Sequence, residues 1–258
     1  MRRVVLGLMA VVAAGLGAGC IEVEQSLGLE RDLSGTAGVV MRVNLEPMAA
    51  FMARMQREMS GKTGEPTPEE IEKARAEMLS SSTRTTPQDF EADKRELERN
   101  LPTGVKLLGA DFEEEGLRFG FRLSLAFDKV ESLRAIKLPQ KKDAGPAGPG
   151  NPVESPFKDL VVRDDGDEVV VEFPLQNPMS GDGKGFGPLP DDADTAKQVQ
   201  QMFSGLRVGF RITTPFTVVD STAHRQEGQT LVWDYDLKKM LALTPKAQKA
   251  GIRARFKK

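Results

Sequence analysis

His224 is the only histidine of this chain and Cys20 its only cysteine. Nucleophilic catalysis through a Ser-His-Asp or Cys-His arrangement would have to pass through one or both of them. His224 lies in a polar stretch, "HRQEGQ", between two strand-like patterns, while Cys20 closes an apolar leader, so nothing in the sequence brings them together. Zinc sites draw on several Cys and His ligands, which one of each does not supply. "RDDGDE", from Arg163 to Glu168, offers Asp164, Asp165 and Asp167 to calcium. It lacks the alternating spacing and the distant bidentate Glu of a calcium loop, and reads as a hairpin turn. "GDGKGFG", Gly181 to Gly187, is glycine-rich without the order of a phosphate-binding loop. The expectation is a protein that is not an enzyme and holds no metal or cofactor.

Two apolar features have the spacing of a binding face. Met48, Phe51, Met52, Met55 and Met59 fall at i, i+3, i+4, i+7 and i+11, one side of a helix. Flexible, polarisable Met side chains suit an adaptable lipid or partner groove, and they suit core packing onto a sheet as well. Trp233 and Tyr235, the only Trp and Tyr, lie two apart and so share one face of a strand. They are candidates for a membrane or ligand contact, or for the core.

Cys20 raises a different chemistry. Arg2 and Arg3 precede an uncharged run from Val4 to Leu16, then Gly17, Ala18 and Gly19. That is the layout of a secretory signal peptide. A membrane span needs about 20 apolar residues, and the uncharged run here stops at Glu22 and is rich in Gly and Ala, which makes a permanent span the weaker reading. A cysteine directly after small residues resembles the lipobox of bacterial lipoproteins. The resemblance implies cleavage before Cys20, acylation of Cys20 and a mature chain of residues 20–258. Gly17 departs from it, since the family prefers Leu there and Leu16 sits one place further back. Ordinary cleavage leaving a free thiol remains the other reading. Ile21 after the cysteine favours the outer membrane by the best-known sorting rule, and the choice between the two membranes stays open. A single cysteine also excludes an intrachain disulfide in an exported setting that would permit one.

The chain carries 36 basic and 38 acidic residues, a balance that argues against a nucleic-acid binder. The charge is uneven. Residues 237–258 hold eight cations (Lys238, Lys239, Lys246, Lys249, Arg253, Arg255, Lys257 and Lys258) and no acid. On a tethered protein such a tail is a candidate contact for anionic headgroups, each nearby cation contributing about 1 kcal/mol.

The elements that must position these residues follow from periodicity. Residues 21–45 alternate with period two across the turn "RDLSGT", a hairpin. Residues 47–100 switch to helical spacing: a helix opening at Pro47, then "TPEE" with Thr67 as N-cap and Glu70 closing a capping box, then "TPQD" from Thr86. Leu117, Phe119, Phe121, Leu123, Leu125 and Phe127 alternate without error, pairing as a hairpin with "GVKLLGADF" across a turn at "EEEG". A short helix is expected over "DKVESLRAI", a hairpin over "LVVRDDGDEVVVEF", a helix from Asp192, a strand over 206–212, two shorter strands within 214–237 around the polar turn "HRQEGQ", and a closing strand over "GIRARF". Residues 139–156 and 174–190, dense in Pro and Gly, read as solvated loops. Hairpin runs separated from helix runs give an α+β fold: an antiparallel sheet built from hairpins, helices packed on one face, and a helical excursion at 47–100.

The end of the chain, with Pro215, Val218 or Val219 beside Ser221, a polar turn and Val232-Trp233, is similar to the LppM-type family of bacterial envelope lipoproteins. The lipobox-like Cys20, a charged first strand and an Asp-x-Ser-Gly turn at Asp32, Ser34 and Gly35 match its beginning. What the resemblance implies is an exported α+β lipoprotein, anchored to the cell or outer membrane through acylated Cys20. Its expected role is a non-enzymatic binding or interaction module with an envelope protein as partner, or alternatively a lipid-binding or lipid-transfer protein with a cavity lined by the Met-rich helix.

Overall fold

The computed structural model describes residues 20–81, 87–138, 153–175, 203 and 205–258. The leader, most of the two Pro/Gly-rich loops, "GDGKGFG" and the helix expected from Asp192 lie outside the described residues.

The first hairpin forms as its alternation dictates: β1 (Cys20–Leu29) runs antiparallel to β2 (Gly35–Asn44), with Cys20 opposite Asn44 and Leu29 opposite Gly35. Its turn is held by Asp32, whose carboxylate accepts from both the Ser34 N–H at 3.1 Å and the Ser34 hydroxyl at 2.6 Å. Three helices follow, α1 (Glu46–Met59), α2 (Pro68–Ser81) and α3 (Pro87–Asn100). The capping box of α2 is present in both directions. The Glu70 N–H donates to Thr67 Oγ1 at 3.3 Å, and the Thr67 N–H donates to the Glu70 carboxylate at 2.9 Å.

The second hairpin pairs β3 (Val105–Glu115) with β4 (Arg118–Phe127). The acids Glu113 to Glu115, expected in the turn, are strand residues. Glu115 stands opposite Arg118, and the reversal falls on Gly116, at φ +60, and Leu117. Then come α4 (Val130–Arg134), the short pair β5 (Lys137–Leu138) and β6 (Val153–Glu154), and the hairpin β7 (Val161–Asp164) and β8 (Glu168–Phe173). The last part holds β9 (Arg207–Thr213), β10 (Thr217–Ser221), β11 (Arg225–Glu227), β12 (Thr230–Asp236), α5 (Leu237–Leu241), α6 (Pro245–Ala250) and β13 (Ile252–Lys257).

The fold is α+β, with sheets dominated by antiparallel pairs and helices packed against them. A seven-stranded sheet has the order β11-β12-β9-β1-β2-β4-β3, and a four-stranded sheet the order β10-β13-β8-β7. One pairing departs from the hairpin scheme: β1 and β9 run parallel, Glu22 opposite Arg207 and Leu27 opposite Ile212. The two sheets share one core in which Leu27, Phe210 and Trp233 of the larger pack with Val171, Ala254 and Phe256 of the smaller. The Phe173 and Phe210 rings stack at 5.2 Å between them.

Of the three helices between 47 and 100, only α1 and α2 stand off. Helix α3 returns to the sheet, Phe90 stacking on Phe112 of β3 at 5.4 Å. α1 and α2 form a hairpin with its own small core of Ala49, Met78 and Leu117, flanked by Met48 and Met52.

Candidate functional site

Cys20 is the first of the described residues and begins β1. Its strand register places it across from Asn44, which in turn stands opposite Arg118 of β4. Two positions further along comes the row Arg207, Glu22, Arg42, Gly120 and Glu113, running across β9, β1, β2, β4 and β3. Charges alternate along it, and Arg42 donates to the Glu22 carboxylate at 3.3 Å. Further along the sheet Arg211, opposite Ser26, pairs diagonally with Glu24 at 3.2 Å. An open cleft of about 550 Å3 lies over this end of the sheet, lined by Glu22, Arg42, Arg118, Arg207 and the Glu113–Glu115 run. Gly120 forms part of its lining for a steric reason: a Cβ there would come within 2.8 Å of the Met41 carbonyl oxygen. Sequence patterning gave no sign of this rim. Arg118 and Arg207 are 89 positions apart in the chain and line one cleft only because β1 pairs with β9 on one side and, through β2, reaches β4 on the other.

The expected Met face divides. α1 buries Ala49 and Ala53 against α2, whose Ala74 and Met78 come from the other side. Met48, Phe51 and Met52 are half-buried, whereas Met55 is 42% exposed and Met59 82%. This corrects the expectation of a five-residue stripe laid on a sheet or around a cavity: two alanines allow the helix backbones to close, and the larger Met side chains rotate to the flank.

Trp233 is fully buried, so it offers no surface to a membrane or partner. Its indole N–H donates to Thr222 Oγ1 at 3.1 Å and its ring meets Phe210 edge-on at 6.2 Å. Tyr235, also buried, packs edge-on against His224 at 4.7 Å, and desolvation raises its hydroxyl pKa above the usual value. The Met face and the Trp233–Tyr235 pair belong to different clusters and form no common site.

His224 has no nucleophile beside it among the described contacts. Its Nδ1 accepts the backbone N–H of Asp234 at 3.1 Å. Burial, then the charges of Lys239 and Arg225, hold its pKa below the ordinary 6.5, which favours the neutral ring. In "RDDGDE" the Asp164 carboxylate accepts from the Gly166 N–H at 3.2 Å and pairs with Lys258, which lowers its pKa. Among the described residues no group of three or more His, Cys, Asp or Glu side chains is placed to hold a metal ion.

The basic tail is partly neutralised by its own sheet. Arg253 faces Glu172 and Arg255 faces Glu168, each at 3.6 Å, and Lys258 pairs with Asp164. Lys238, Lys246 and Lys257 are exposed. No helix among the described residues is long and apolar enough to cross a membrane.

No protein-family model matches the chain, and no curated protein matches it. Among solved structures, the NMR structure of the Mycobacterium tuberculosis LppM folded domain is similar, with a TM-score of 0.45 over 94% of this chain and 92% of that one, at 9% identity. A likeness of that size carries no weight for what this chain does.

Proposed function

We propose that this chain is an exported, lipid-anchored envelope protein that acts as a non-enzymatic binding or interaction module, held to the membrane through Cys20. The observation that carries the reading is the position of that cysteine. It follows the apolar leader directly and is the first residue of β1, in register with Asn44. Two or more acyl chains hold a protein stably at a bilayer, where one holds it only marginally. The solitary His224, bonded through Nδ1 to the backbone and facing no nucleophile among the described residues, supports a role without catalysis.

The lipid-transfer alternative needs the Met face to line a cavity. That face instead splits between a two-helix contact and open surface, so no observation favours it. The test of the anchor is metabolic labelling with a clickable fatty acid. Wild type takes up label, Cys20→Ser does not, and an unlabelled wild-type chain overturns the reading.

A further inference from the structure

We propose that the Cys20 end of the large sheet, together with the α1–α2 hairpin leaving from it, is the surface that lies on the lipid bilayer. Arg118 and Arg207 then stand at phosphate level, and Met55 and Met59 enter the interface. The proposal rests on the anchoring reading above, in which hydrocarbon begins at Cys20.

The first argument is the length of the tether. Cys20 is already paired with Asn44, and Ile21 is buried in the core, so no spacer separates anchor from fold. A body attached this way cannot stand off from the headgroups. β1 has ten residues and spans about 30 Å, which places the Glu30–Ser34 turn far from the bilayer and the Cys20 end against it.

The second argument is what gathers at that end. Asn44, opposite Cys20, leads straight into α1, and the Leu45 N–H donates to the Leu117 carbonyl at 2.9 Å in the β3–β4 turn. From Glu46 to Met59 the helix extends about 20 Å from a root beside the anchor, which puts the hairpin within reach of the bilayer. On the other side of β1, Arg207 stands opposite Asp236, the last residue of β12, from which α5 departs. The exposed large hydrophobic residues among those described are Met55, Met59, Leu241, Leu108 and Val219. The first three sit on α1 and α5, the two helices that leave this end.

The third argument is charge. Arg118, Arg207 and Lys238 are exposed at this end and make no ion pair among the described residues. Glu113 and Glu115 flank them on the edge strand, so the rim is mixed. It suits a zwitterionic bilayer carrying some anionic lipid rather than a strongly anionic one.

Hydrogen–deuterium exchange of the full chain tests this, on vesicles of phosphatidylethanolamine with a minority of phosphatidylglycerol and in detergent. Exchange in 46–66 and 237–241 should slow several-fold on vesicles while the Glu30–Ser34 turn stays unchanged. The double variant Met55→Glu/Met59→Glu, altered only at exposed positions, should lose the slowing in 54–62 and keep the core protection. Slowing at the Glu30–Ser34 turn instead, equal exchange in both states, or an unaffected double variant overturns the proposal. Intact mass reports separately whether Cys20 is acylated. If its thiol is free, coupling this sole cysteine to a maleimide lipid supplies the anchor at the same atom, and the same exchange pattern decides the docking face.

Discussion

Trp233 and Thr222 join the two sheets through one hydroxyl. Thr222 Oγ1 accepts the indole N–H at 3.1 Å and the Arg253 N–H at 3.0 Å, and it donates to the Gly251 carbonyl at 3.1 Å. All of its hydrogen-bonding capacity is used, although Thr222 itself is exposed. Trp233→Ala, at a fully buried site, should cost about 3–5 kcal/mol in urea unfolding. Trp233→Phe retains most of the packing and leaves one lone pair of an exposed threonine hydroxyl to water, and should cost less, about 0.5–1.5 kcal/mol. Equal losses for the two variants would show that the indole N–H bond, which both remove, outweighs packing here.

Helix α2 depends on a small set of groups at its start. Thr67→Ala removes the acceptor for the Glu70 N–H and should lower the stability of the hairpin by about 1 kcal/mol. The Glu70 carboxylate is held below its ordinary 4.5 first by the Thr67 N–H, with Arg57 adding to it and desolvation opposing. Its contribution is therefore present above 4.5 and is lost as pH falls through the lower folded-state value. Amide exchange in 67–78 at descending pH reads this out, and Glu70→Gln should flatten the dependence.

Much of this architecture was legible in the sequence because local rules decided it. Leu117 to Phe127 alternates under a single period, and Thr67 with Glu70 specifies a helix start by side-chain chemistry alone. What was not legible depended on partners distant in sequence. No alternation in Ile21 to Leu29 announces that its second neighbour is Arg207 to Thr213, or that the pairing is parallel, because either strand's pattern is satisfied by any apolar layer. The Met face misled for a related reason. Hydropathy ranks Met above Ala, yet α2 closes on Ala49 and Ala53 because small side chains permit a short interhelical distance. The rim at Arg118 and Arg207 was invisible for the same cause, since its members belong to three separate strand patterns.

That division of α1 gives contrasting substitutions. Met59→Asp, at a position 82% exposed, should change stability by no more than about 0.5 kcal/mol. Ala49→Asp places a carboxylate in the α1–α2 contact and should detach the hairpin while the sheets stay folded. Limited proteolysis at Lys62 separates the outcomes: rapid cleavage for Ala49→Asp, wild-type rates for Met59→Asp. Rapid cleavage of both would place Met59 in a structural role.

His224 provides the last prediction, a pH response confined to the sheet edge. Its Nδ1 is an acceptor for the Asp234 N–H, so protonating it sets a donor against a donor. Burial is the largest cause of its lowered pKa, followed by Lys239 and Arg225, which repel the cation. Glu227 and Asp234 lie close but are engaged by Arg225, at 2.6 Å in the first case. A folded-state pKa below 6.5 means that the unfolded chain binds the proton more readily. The stabilisation by neutral His224 is thus complete above 6.5 and declines as pH falls through the folded value. Exchange in β11 and β12 should accelerate over that window while β2 and β4 remain unchanged. His224→Asn, which keeps an acceptor and cannot titrate, should abolish the response; a response that persists in the variant would assign it to another group.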